Sequence, residues 1–432
     1  MNNVEPKKVT VPITRRSLLL SGAGAAVAAG LPKSLRAQPG GPYCDTVVIG
    51  AGVFGAWTAW RLREAGQQVV LVDAWSPAHA RASSGGESRV TRGAYGADEV
   101  YTRMALDSLE DWKILSLHSG LPIFHQTGVI FFFPRIEPFL EETMRVHRRL
   151  GLPTELIPVD QLRRRFPTLN LDDIEIGLFE PRFGVLMARR AIQQLVADFQ
   201  SRGGEYRHAQ ILPPRATDAG IDRVVPTDGY AITARNFVFA CGPWLGRIFP
   251  DLLASRIFPT RQEVFFFAPR PGDRDYDSGL SANGPAALPA WADFNGGDIY
   301  YGCPSLEGRG FKIAHDAHGP PMDPDSGDRT PSPEALADVR AFMARRFPGM
   351  ADRPLSEARV CQYENSSNGD FLIDRHPTLE NVFLVGAGSG HGFKHGPAVG
   401  RYAADLVMGR LRTPEPRFSL ATKGEQAARA VH

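Results

Sequence analysis

The sequence predicts an α/β domain built on a parallel sheet, joined to a second domain built on a mostly antiparallel sheet. Three observations predict this fold class. The first is a set of short, continuously apolar runs, typical of parallel strands covered on both faces, at residues 46–50, 68–73, 236–242 and 381–388. The second is a set of β-branched and aromatic runs between Pro/Gly loops, typical of antiparallel strands, at residues 128–133, 263–267 and 298–302. The third is their order, because the two kinds of run alternate and the α/β domain must therefore be assembled from separated segments.

The composition is that of an ordinary globular protein. Of 432 residues, 43% are hydrophobic and 22% are charged, which excludes disordered, collagen-like and coiled-coil chains. The 49 lysines and arginines nearly balance the 47 aspartates and glutamates, so the net charge is +2. Bulk charge therefore gives no reason to expect nucleic acid as a partner.

The four cysteines, Cys44, Cys241, Cys303 and Cys361, lie far apart. They form no Cys-x-x-Cys pair and have no accompanying histidine cluster, so the sequence predicts no metal site. A disulfide scaffold is equally excluded at this cysteine density.

The N-terminus has the pattern of an export signal. Arg15 and Arg16 precede an uncharged stretch over residues 18–31, which is too short to span a bilayer. We therefore predict a twin-arginine-type signal peptide over residues 1–37, recognised by the twin-arginine export machinery, and a mature protein in the bacterial periplasm. Cleavage after Ala37 is expected although Leu35 is not the usual small residue, and the alternative is a disordered basic tail. Nothing else in the chain reaches 18 apolar residues, so no stable membrane insertion is expected.

The first apolar run leads into a dinucleotide-binding motif. Gly50, Gly52 and Gly55 form a Gly-x-Gly-x-x-Gly turn at the start of a helix, which Val53 and Phe54 open. The glycines allow a tight turn, close approach of a pyrophosphate to the backbone, and close packing of helix on strand. Asp73 ends the next strand, where a carboxylate accepts hydrogen bonds from a ribose. The unit predicts a Rossmann-like domain.

Helices are expected over residues 101–117, 188–202 and 334–347. The predicted division assigns residues 44–125, 186–245 and 356–412 to the nucleotide-binding domain, 126–185 and 246–355 to the substrate domain, and 413–432 to a C-terminal tail.

Several blocks of residues together carry a family resemblance. They are the glycine motif, the segment from Gly86 to Gly96, residues 301–305, Lys312, the block 360–363 and the block 390–394. In this order they resemble the monomeric sarcosine oxidase and N-methyl amino acid oxidase branch of the D-amino-acid-oxidase superfamily, over most of residues 44–412. The resemblance implies FAD as cofactor.

The resemblance also implies contacts with the flavin. Cys361 matches the cysteine that forms a thioether to the flavin ring, and Arg89 is placed near the flavin. The alternative for Cys361 is a small buried apolar side chain. The matching cofactor loop consists of Gly390, His391, Gly392 and Phe393, and its glycines favour a structural role for His391 over that of a general base.

Further residues match the family's substrate site. Arg92 and Lys394 match the pair that holds the substrate carboxylate, and a planar guanidinium with a lysine point charge suits that task. Lys312 matches the lysine over the flavin face, where a fixed cation would promote electron transfer to oxygen. Tyr301 and Tyr363 would line the substrate pocket. The alternatives are solvated surface cations for Arg92 and Lys394, and core packing for the tyrosines.

The chain departs from the family pattern at two places. Asp316 stands four residues after Lys312, where relatives carry histidine, and residues 84–86 are Ser-Gly-Gly where relatives also carry histidine. Both departures affect the expected size and charge of the substrate pocket. Asp316 and His395 are unranked candidates for a functional role.

The function expected from these residues is oxidation of a primary or secondary amine that bears a carboxylate, with O2 reduced to H2O2. Two alternatives stay open. One is an exported flavin-dependent dehydrogenase that passes electrons to a quinone or a cytochrome. The other, from a different class, is a flavin-binding module without turnover.

Overall fold

The computed structural model describes residues 43–214, 220–277, 288–317 and 319–426. The predicted signal segment, residues 1–37, lies outside the described residues. The strands of the described chain are β1 Cys44–Ile49, β2 Val69–Asp73, β3 Arg89–Thr91, β4 Phe124–His125, β5 Val129–Phe133, β6 Glu155–Pro158, β7 Ile176–Glu180, β8 Gly184–Leu186, β9 Glu205–His208, β10 Arg223–Val224, β11 Ile232–Phe239, β12 Phe258–Phe267, β13 Ala290–Asp293, β14 Ile299–Cys303, β15 Phe311–Asp316, β16 Leu355–Asn365, β17 Leu372–Arg375 and β18 Val382–Gly386. The helices are α1 Val53–Glu64, α2 Glu99–Leu117, α3 Pro138–Leu150, α4 Val159–Arg165, α5 Ala188–Ser201, α6 Leu245–Ile248, α7 Pro250–Leu253, α8 Pro333–Arg346 and α9 Gly396–Val407.

The first sheet has the strand order β17-β18-β11-β1-β2-β9, with β10 paired to β11. All pairs from β18 to β9 are parallel, whereas β17 and β10 add antiparallel edges. The central strand β1 is buried at Val47 and Val48, as expected for a parallel strand covered on both faces. This sheet confirms the predicted nucleotide-binding architecture assembled from separated segments.

Helices α1 and α9 pack together over one face of this sheet. Their backbones meet at Gly400, where a Cβ atom would lie 2.6 Å from backbone atoms of Trp57. Any side chain at position 400 would therefore push the two helices apart. This contact holds the N-terminal end of α1, which carries the glycine motif, beside the chain that leads into α9.

The second sheet has the order β16-β12-β15-β14-β13-β5-β7-β6, and only the pairing of β13 with β5 is parallel. Helix α8 covers one of its faces, with Trp291 of β13 against Phe347 at a ring-centroid distance of 4.6 Å. A buried ion pair between Arg346 and Asp293, 2.6 Å from Nε to Oδ2, also joins α8 to β13. The predicted mostly antiparallel second sheet is confirmed.

Strand β16 differs from the predicted division. Residues 356–412 were assigned to the nucleotide-binding domain, yet β16 pairs along its whole length with β12 in the second sheet. The physical reason is its alternation of buried and part-buried residues, which suits an antiparallel strand and not a fully covered parallel one. The other domain boundaries stay predictions.

Within the described residues no helix is long and apolar enough to cross a bilayer.

Candidate active site and cofactor cavity

The glycine motif has the geometry that dinucleotide binding requires. Gly50 has φ +106°, and a Cβ there would lie 2.3 Å from the carbonyl oxygen of Ala240. A Cβ at Gly55 would lie 1.9 Å from the carbonyl oxygen of Gly50. At Gly52, in contrast, the nearest atom is Ser84 Oγ at 3.5 Å, so this position opens towards the cavity. A phosphate group can therefore approach the backbone at the start of α1.

A cavity of about 620 Å³ begins at this turn. Its wall includes Gly52, Val53 and Phe54 at one point and Gly390, Gly392 and Phe393 at another. The predicted cofactor residues from the two ends of the chain thus line one space. Its volume, and a lining that includes both the glycine turn of α1 and the loop before α9, fit a dinucleotide such as FAD.

Asp73 lies in the cavity wall at the end of β2. Its Oδ2 accepts the Ala51 N–H at 2.7 Å, and its Oδ1 accepts the Trp75 N–H at 2.9 Å. These bonds fix the carboxyl group beside the glycine turn, while burial raises its pKa. The position is the one predicted for a group that binds the ribose.

The cavity wall also contains buried polar atoms that have no hydrogen-bond partner among the described residues. Gln362 Oε1 and Glu364 Oε1 are buried and make no hydrogen bond within the described residues. Burial raises the pKa of Glu364 to about 8, so this carboxyl group is able to hold a proton and donate it in a hydrogen bond. A polar cofactor with donors and acceptors along its length would satisfy such atoms, because unpaired buried polar groups are costly.

Cys361 lies beside Arg89, as the resemblance implies. Arg89 is in the cavity wall, and its Nη2 lies 3.6 Å from Cys361 Sγ. The guanidinium is fixed by carbonyl oxygens of Ser88 and Ser83, at 2.8 and 2.5 Å. The structure therefore brings the predicted thiol to the predicted flavin-side arginine.

Lys312 is buried on β15, with 1% of its surface exposed. Its Nζ donates to the carbonyl oxygen of Ser88 at 3.0 Å and lies 5.4 Å from the centre of the Tyr301 ring. Burial, followed by the Arg89 cation, lowers the pKa of Lys312 to about 8. Lys312 therefore lies beside Arg89, because both side chains donate to the Ser88 carbonyl oxygen.

The two predicted pocket tyrosines come from neighbouring parts of the second sheet. The hydroxyl oxygens of Tyr301 and Tyr363 lie 3.5 Å apart, and the Tyr363 hydroxyl donates to Asp316 Oδ1 at 3.0 Å. Burial and the Asp316 charge raise the pKa of both hydroxyls, that of Tyr301 to about 12. Both tyrosines are therefore neutral at physiological pH, and Asp316 belongs to the same site.

Arg92 and Lys394, predicted as the carboxylate pair, meet at Tyr95. The Arg92 guanidinium lies 4.1 Å from the centre of the Tyr95 ring, and Lys394 Nζ donates to the Tyr95 hydroxyl at 2.7 Å. Lys394 Nζ also donates to the carbonyl oxygen of His391 at 2.8 Å. Burial and the Arg92 cation hold the pKa of Lys394 well below its ordinary value. Arg92 and Lys394 thus lie close together in a largely desolvated environment.

The histidines of the C-terminal loop support this arrangement. His391 Nε2 contacts the carbonyl oxygen of Gly369 at 3.1 Å, and its ring stacks on Phe371. His395 Nε2 lies 2.7 Å from the Tyr95 hydroxyl. These contacts fit the structural role expected for His391 and show that His395 helps to hold Tyr95.

Sequence reasoning assigned no role to Tyr95 or to Glu180. Tyr95 lies three residues after Arg92 inside the matched block, so its place in the motif was a usable signal. Glu180 ends β7 and is fully buried against the backbone after Arg92. No local pattern marks it, since its partner is 87 residues away.

The fold and the cavity define a dinucleotide-binding protein, in which the nucleotide-binding sheet and strand β16 of the second sheet line one cavity. Residues 45–406 match the family model DAO, FAD dependent oxidoreductase. The chain belongs to this family, and the predicted FAD dependence and oxidoreductase class are confirmed.

Curated relatives align with most of this chain. The chain is 32% identical over 373 residues to monomeric sarcosine oxidase from Bacillus sp. (strain B-0618), covering 85% of this chain and 92% of the relative. It is 30% identical over 385 residues to N-methyl-L-tryptophan oxidase from Yersinia pestis (strain Pestoides F), covering 87% and 98%. The resemblance stated from sequence motifs is thereby confirmed.

Solved structures agree on the fold. L-proline dehydrogenase from P. horikoshii superposes with a TM-score of 0.75 at 21% identity, covering 87% of this chain and 96% of the other. The amino acid oxidase NikD superposes with a TM-score of 0.71 at 20% identity, covering 90% and 99%.

Proposed function

We propose that this enzyme oxidises the C–N bond of a secondary or primary amine that bears a carboxylate, such as an N-alkyl or cyclic amino acid. The substrate loses two electrons and two protons to give an imine, which water hydrolyses. O2 takes up two electrons and two protons to give H2O2. Bound FAD supplies the two-electron acceptor that joins the two halves. The family match and the names of the two oxidase relatives support this reaction class.

The observation that carries the proposal is the pairing of Arg92 and Lys394 around Tyr95. Two cations held together in a buried place repel each other and are costly to desolvate, so negative groups stabilise them, here the nearby Glu180 and Asp316 together with a bound anion. A guanidinium offers a planar fork to two carboxylate oxygens, and the ammonium adds a point charge. An amino acid carboxylate fits both requirements.

The other residues of the site would position the rest of the substrate. Tyr301 and Tyr363 would contact the substrate with their aromatic rings and neutral hydroxyls. The Asp316 carboxyl group accepts a hydrogen bond from the Tyr363 hydroxyl. A carboxylate clamp with an aromatic wall orients the reacting C–H bond without needing a dedicated base. Most of the rate gain would then come from positioning and fixed charge.

Oxygen as the electron acceptor is supported by the environment of Lys312. A carboxylate paired with this lysine would mute its positive field and favour a dehydrogenase that uses another acceptor. The titratable groups that act on the Lys312 pKa are instead the Arg89 cation and the thiols of Cys303 and Cys361. Asp316 accepts from Tyr363.

A panel of amines tests the proposal on purified holoenzyme. It should include N-methyl, cyclic and unsubstituted amino acids, each beside the matching amine without a carboxylate, and be scored for peroxide and for reduction of an artificial acceptor. We expect turnover only with the carboxylate-bearing members and stoichiometric peroxide in air. Acceptor reduction without peroxide would support the quinone- or cytochrome-linked dehydrogenase, and no turnover with any amine would reject amine oxidation.

We also propose that FAD is attached through a thioether to Cys361, which is supported by the contact between its Sγ atom and Arg89 in the cavity wall. Acid-precipitated wild-type protein should stay yellow. The Cys361→Ala variant should release its flavin on acid treatment or fail to load it. A colourless pellet from fully loaded wild-type protein would reject the link.

Export by the twin-arginine route to the periplasm is proposed from Arg15, Arg16 and the apolar stretch that follows. Replacing both arginines by lysine should leave folded, flavin-containing enzyme in the cytoplasm. Unchanged export of this variant, measured by cell fractionation, would contradict the assignment.

A further inference from the structure

A fully buried carboxyl group lies next to the backbone of Arg92, which with Lys394 forms the proposed carboxylate clamp. Glu180, the last residue of β7, has 0% of its surface exposed. Its Oε1 and Oε2 atoms accept the Gly93 N–H at 3.0 and 3.2 Å. Because Gly93 follows Arg92 directly, the carboxyl group is bound to the backbone segment that carries the clamp's guanidinium.

The charges around Glu180 come from several elements. Arg92 and Lys394 act on it as cations, from the segment after β3 and from the turn before α9. On α3, His147 Nε2 lies 3.7 Å from Glu180 Oε1, and burial lowers the pKa of this histidine, so its ring is neutral near pH 7. The more distant charges in the cluster are Asp98, which acts on Tyr95, and Asp316, which acts on Lys394.

These charges oppose each other at Glu180. Burial raises its pKa to about 8, although the backbone N–H groups and the two cations act in the opposite direction. Its ionised form therefore depends on Arg92 and Lys394. A carboxylate that binds between these cations weakens the field that favours the ionised form of Glu180, and the two negative charges compete.

We propose that Glu180 is a positioning residue of the substrate site that takes up a proton when a carboxylate binds between Arg92 and Lys394. This inference rests on the proposed function. The uptake removes the competing anion, so that both cations are available to the ligand. By linkage, if carboxylate binding increases the proton affinity of Glu180 by a given factor, protonation of Glu180 increases the affinity for the carboxylate by that same factor.

The linkage predicts how affinity changes with pH. Below pH 8 Glu180 already holds its proton, and binding costs nothing at this group. Above pH 8 the carboxyl group is ionised before binding, so the ligand must draw in a proton and its Kd rises. We expect the Kd of wild-type holoenzyme to rise about tenfold between pH 7.5 and pH 9.5.

The probe is isobutyrate, a carboxylate with no amine to oxidise. Its binding to holoenzyme is followed by the change in flavin absorbance, and proton uptake by a pH indicator in weakly buffered solution. At pH 8.5, wild-type protein should take up clearly more protons per isobutyrate bound than Glu180→Gln, which keeps the size and one acceptor oxygen of the side chain. Glu180→Asp, which restores an ionisable group, should recover part of the difference. Lys394 also titrates, and the comparison between the variants separates its contribution.

Equal proton uptake by wild-type and Glu180→Gln protein, or no binding of isobutyrate, would overturn the inference. If Glu180→Gln does not fold, infrared difference spectra of the wild-type holoenzyme decide. Isobutyrate at pH 8.5 should increase the band of a protonated carboxyl group, and an unchanged band would overturn the proposal. Failure of the proposed function looks different, because isobutyrate would still bind with Glu180-dependent uptake while the amine panel shows no turnover.

Discussion

Lys312 and Lys394 are two buried lysines of one site with opposite surroundings. Lys312 donates to the Ser88 carbonyl oxygen, and the titratable groups that act on its pKa are the Arg89 cation and two thiols. Lys394 donates to Tyr95 and lies among Arg92, Asp316 and Glu180, which include both signs of charge. Burial is the largest cause of the lowered pKa in both lysines.

The comparison shows that burial alone does not decide what a lysine does. Lys394 lies near two acids and a second cation. The protonation states of such a group change together when an anion binds, which suits substrate capture. A cation held by a carbonyl oxygen, with another cation and two thiols around it, keeps its field in one place. Such a field suits stabilisation of charge that develops during reaction. The predictions below test whether the two lysines divide the work in this way.

The largest effect is expected for Lys312→Met. Anaerobic reduction of the enzyme by substrate should stay within about one order of magnitude of wild type, whereas reoxidation by O2 should slow by roughly 10²- to 10³-fold. The reason is that a fixed charge in a low-dielectric site is lost without replacement. Rapid mixing separates the two half-reactions. If flavin reduction and reoxidation slowed equally, the proposed division of roles between Lys312 and Lys394 would be wrong.

On the other side of the comparison, Arg92→Ala and Lys394→Met should weaken substrate capture and leave reoxidation near the wild-type rate. Loss of one charge-assisted hydrogen bond in a desolvated site costs about 1.5–3 kcal/mol, or roughly ten- to a hundred-fold in kcat/KM. Steady-state kinetics with a carboxylate-bearing amine measures the loss. The matching amine without a carboxylate is the control, and an equal loss with it would argue against a carboxylate clamp.

The third prediction concerns pH and Lys312. Its pKa of about 8 lies below that of a free lysine, so its cation is present below pH 8 and is lost as pH rises above that value. Reoxidation by O2 should therefore slow up to about tenfold per pH unit above the midpoint. Lys312→Arg, whose guanidinium stays protonated, should remove this decline, and Lys312→Met should show a low, flat profile. A wild-type rate that rises with pH would contradict the role.

Much of this fold was predictable because its signals are local. The glycine motif, Asp73 and the apolar runs of β1, β2, β11 and β18 each lie within a few consecutive residues. Arg92, Lys312, Lys394 and Cys361 were identified from matched motifs, and the structure brings them into one site in two groups.

The parts that could not be predicted depend on long-range contacts. Glu180 reaches Gly93 across 87 residues, and Tyr363 reaches Asp316 across 47. The first contact joins the end of β7 to the segment after β3, outside the second sheet, and the second contact requires the strand order of the second sheet. No short sequence pattern encodes either one. The misassigned strand β16 has the same origin, since its partner β12 lies about a hundred residues earlier in the chain.

The smallest effect is expected at Asp316, whose negative charge favours the protonated form of Lys394. Asp316→Asn removes this charge but keeps an oxygen that accepts from the Tyr363 hydroxyl. The pKa of Lys394 should then fall further, so the alkaline decline of kcat/KM should move to lower pH. Reoxidation by O2 should not change, because the neighbours of Lys312 stay in place.

Asp316→Glu is the matched control, since it keeps the charge and should leave the alkaline limb where it is in wild type. The pH profile is measured with the same substrate in all three proteins, so the titration of the substrate amine cancels. A shift of the Asp316→Asn limb to higher pH would mean that repulsion of the substrate carboxylate outweighs support of the Lys394 cation. A slower reoxidation in Asp316→Asn would instead mean that Asp316 acts on Lys312. The proposed division of roles between Lys312 and Lys394 would then be wrong.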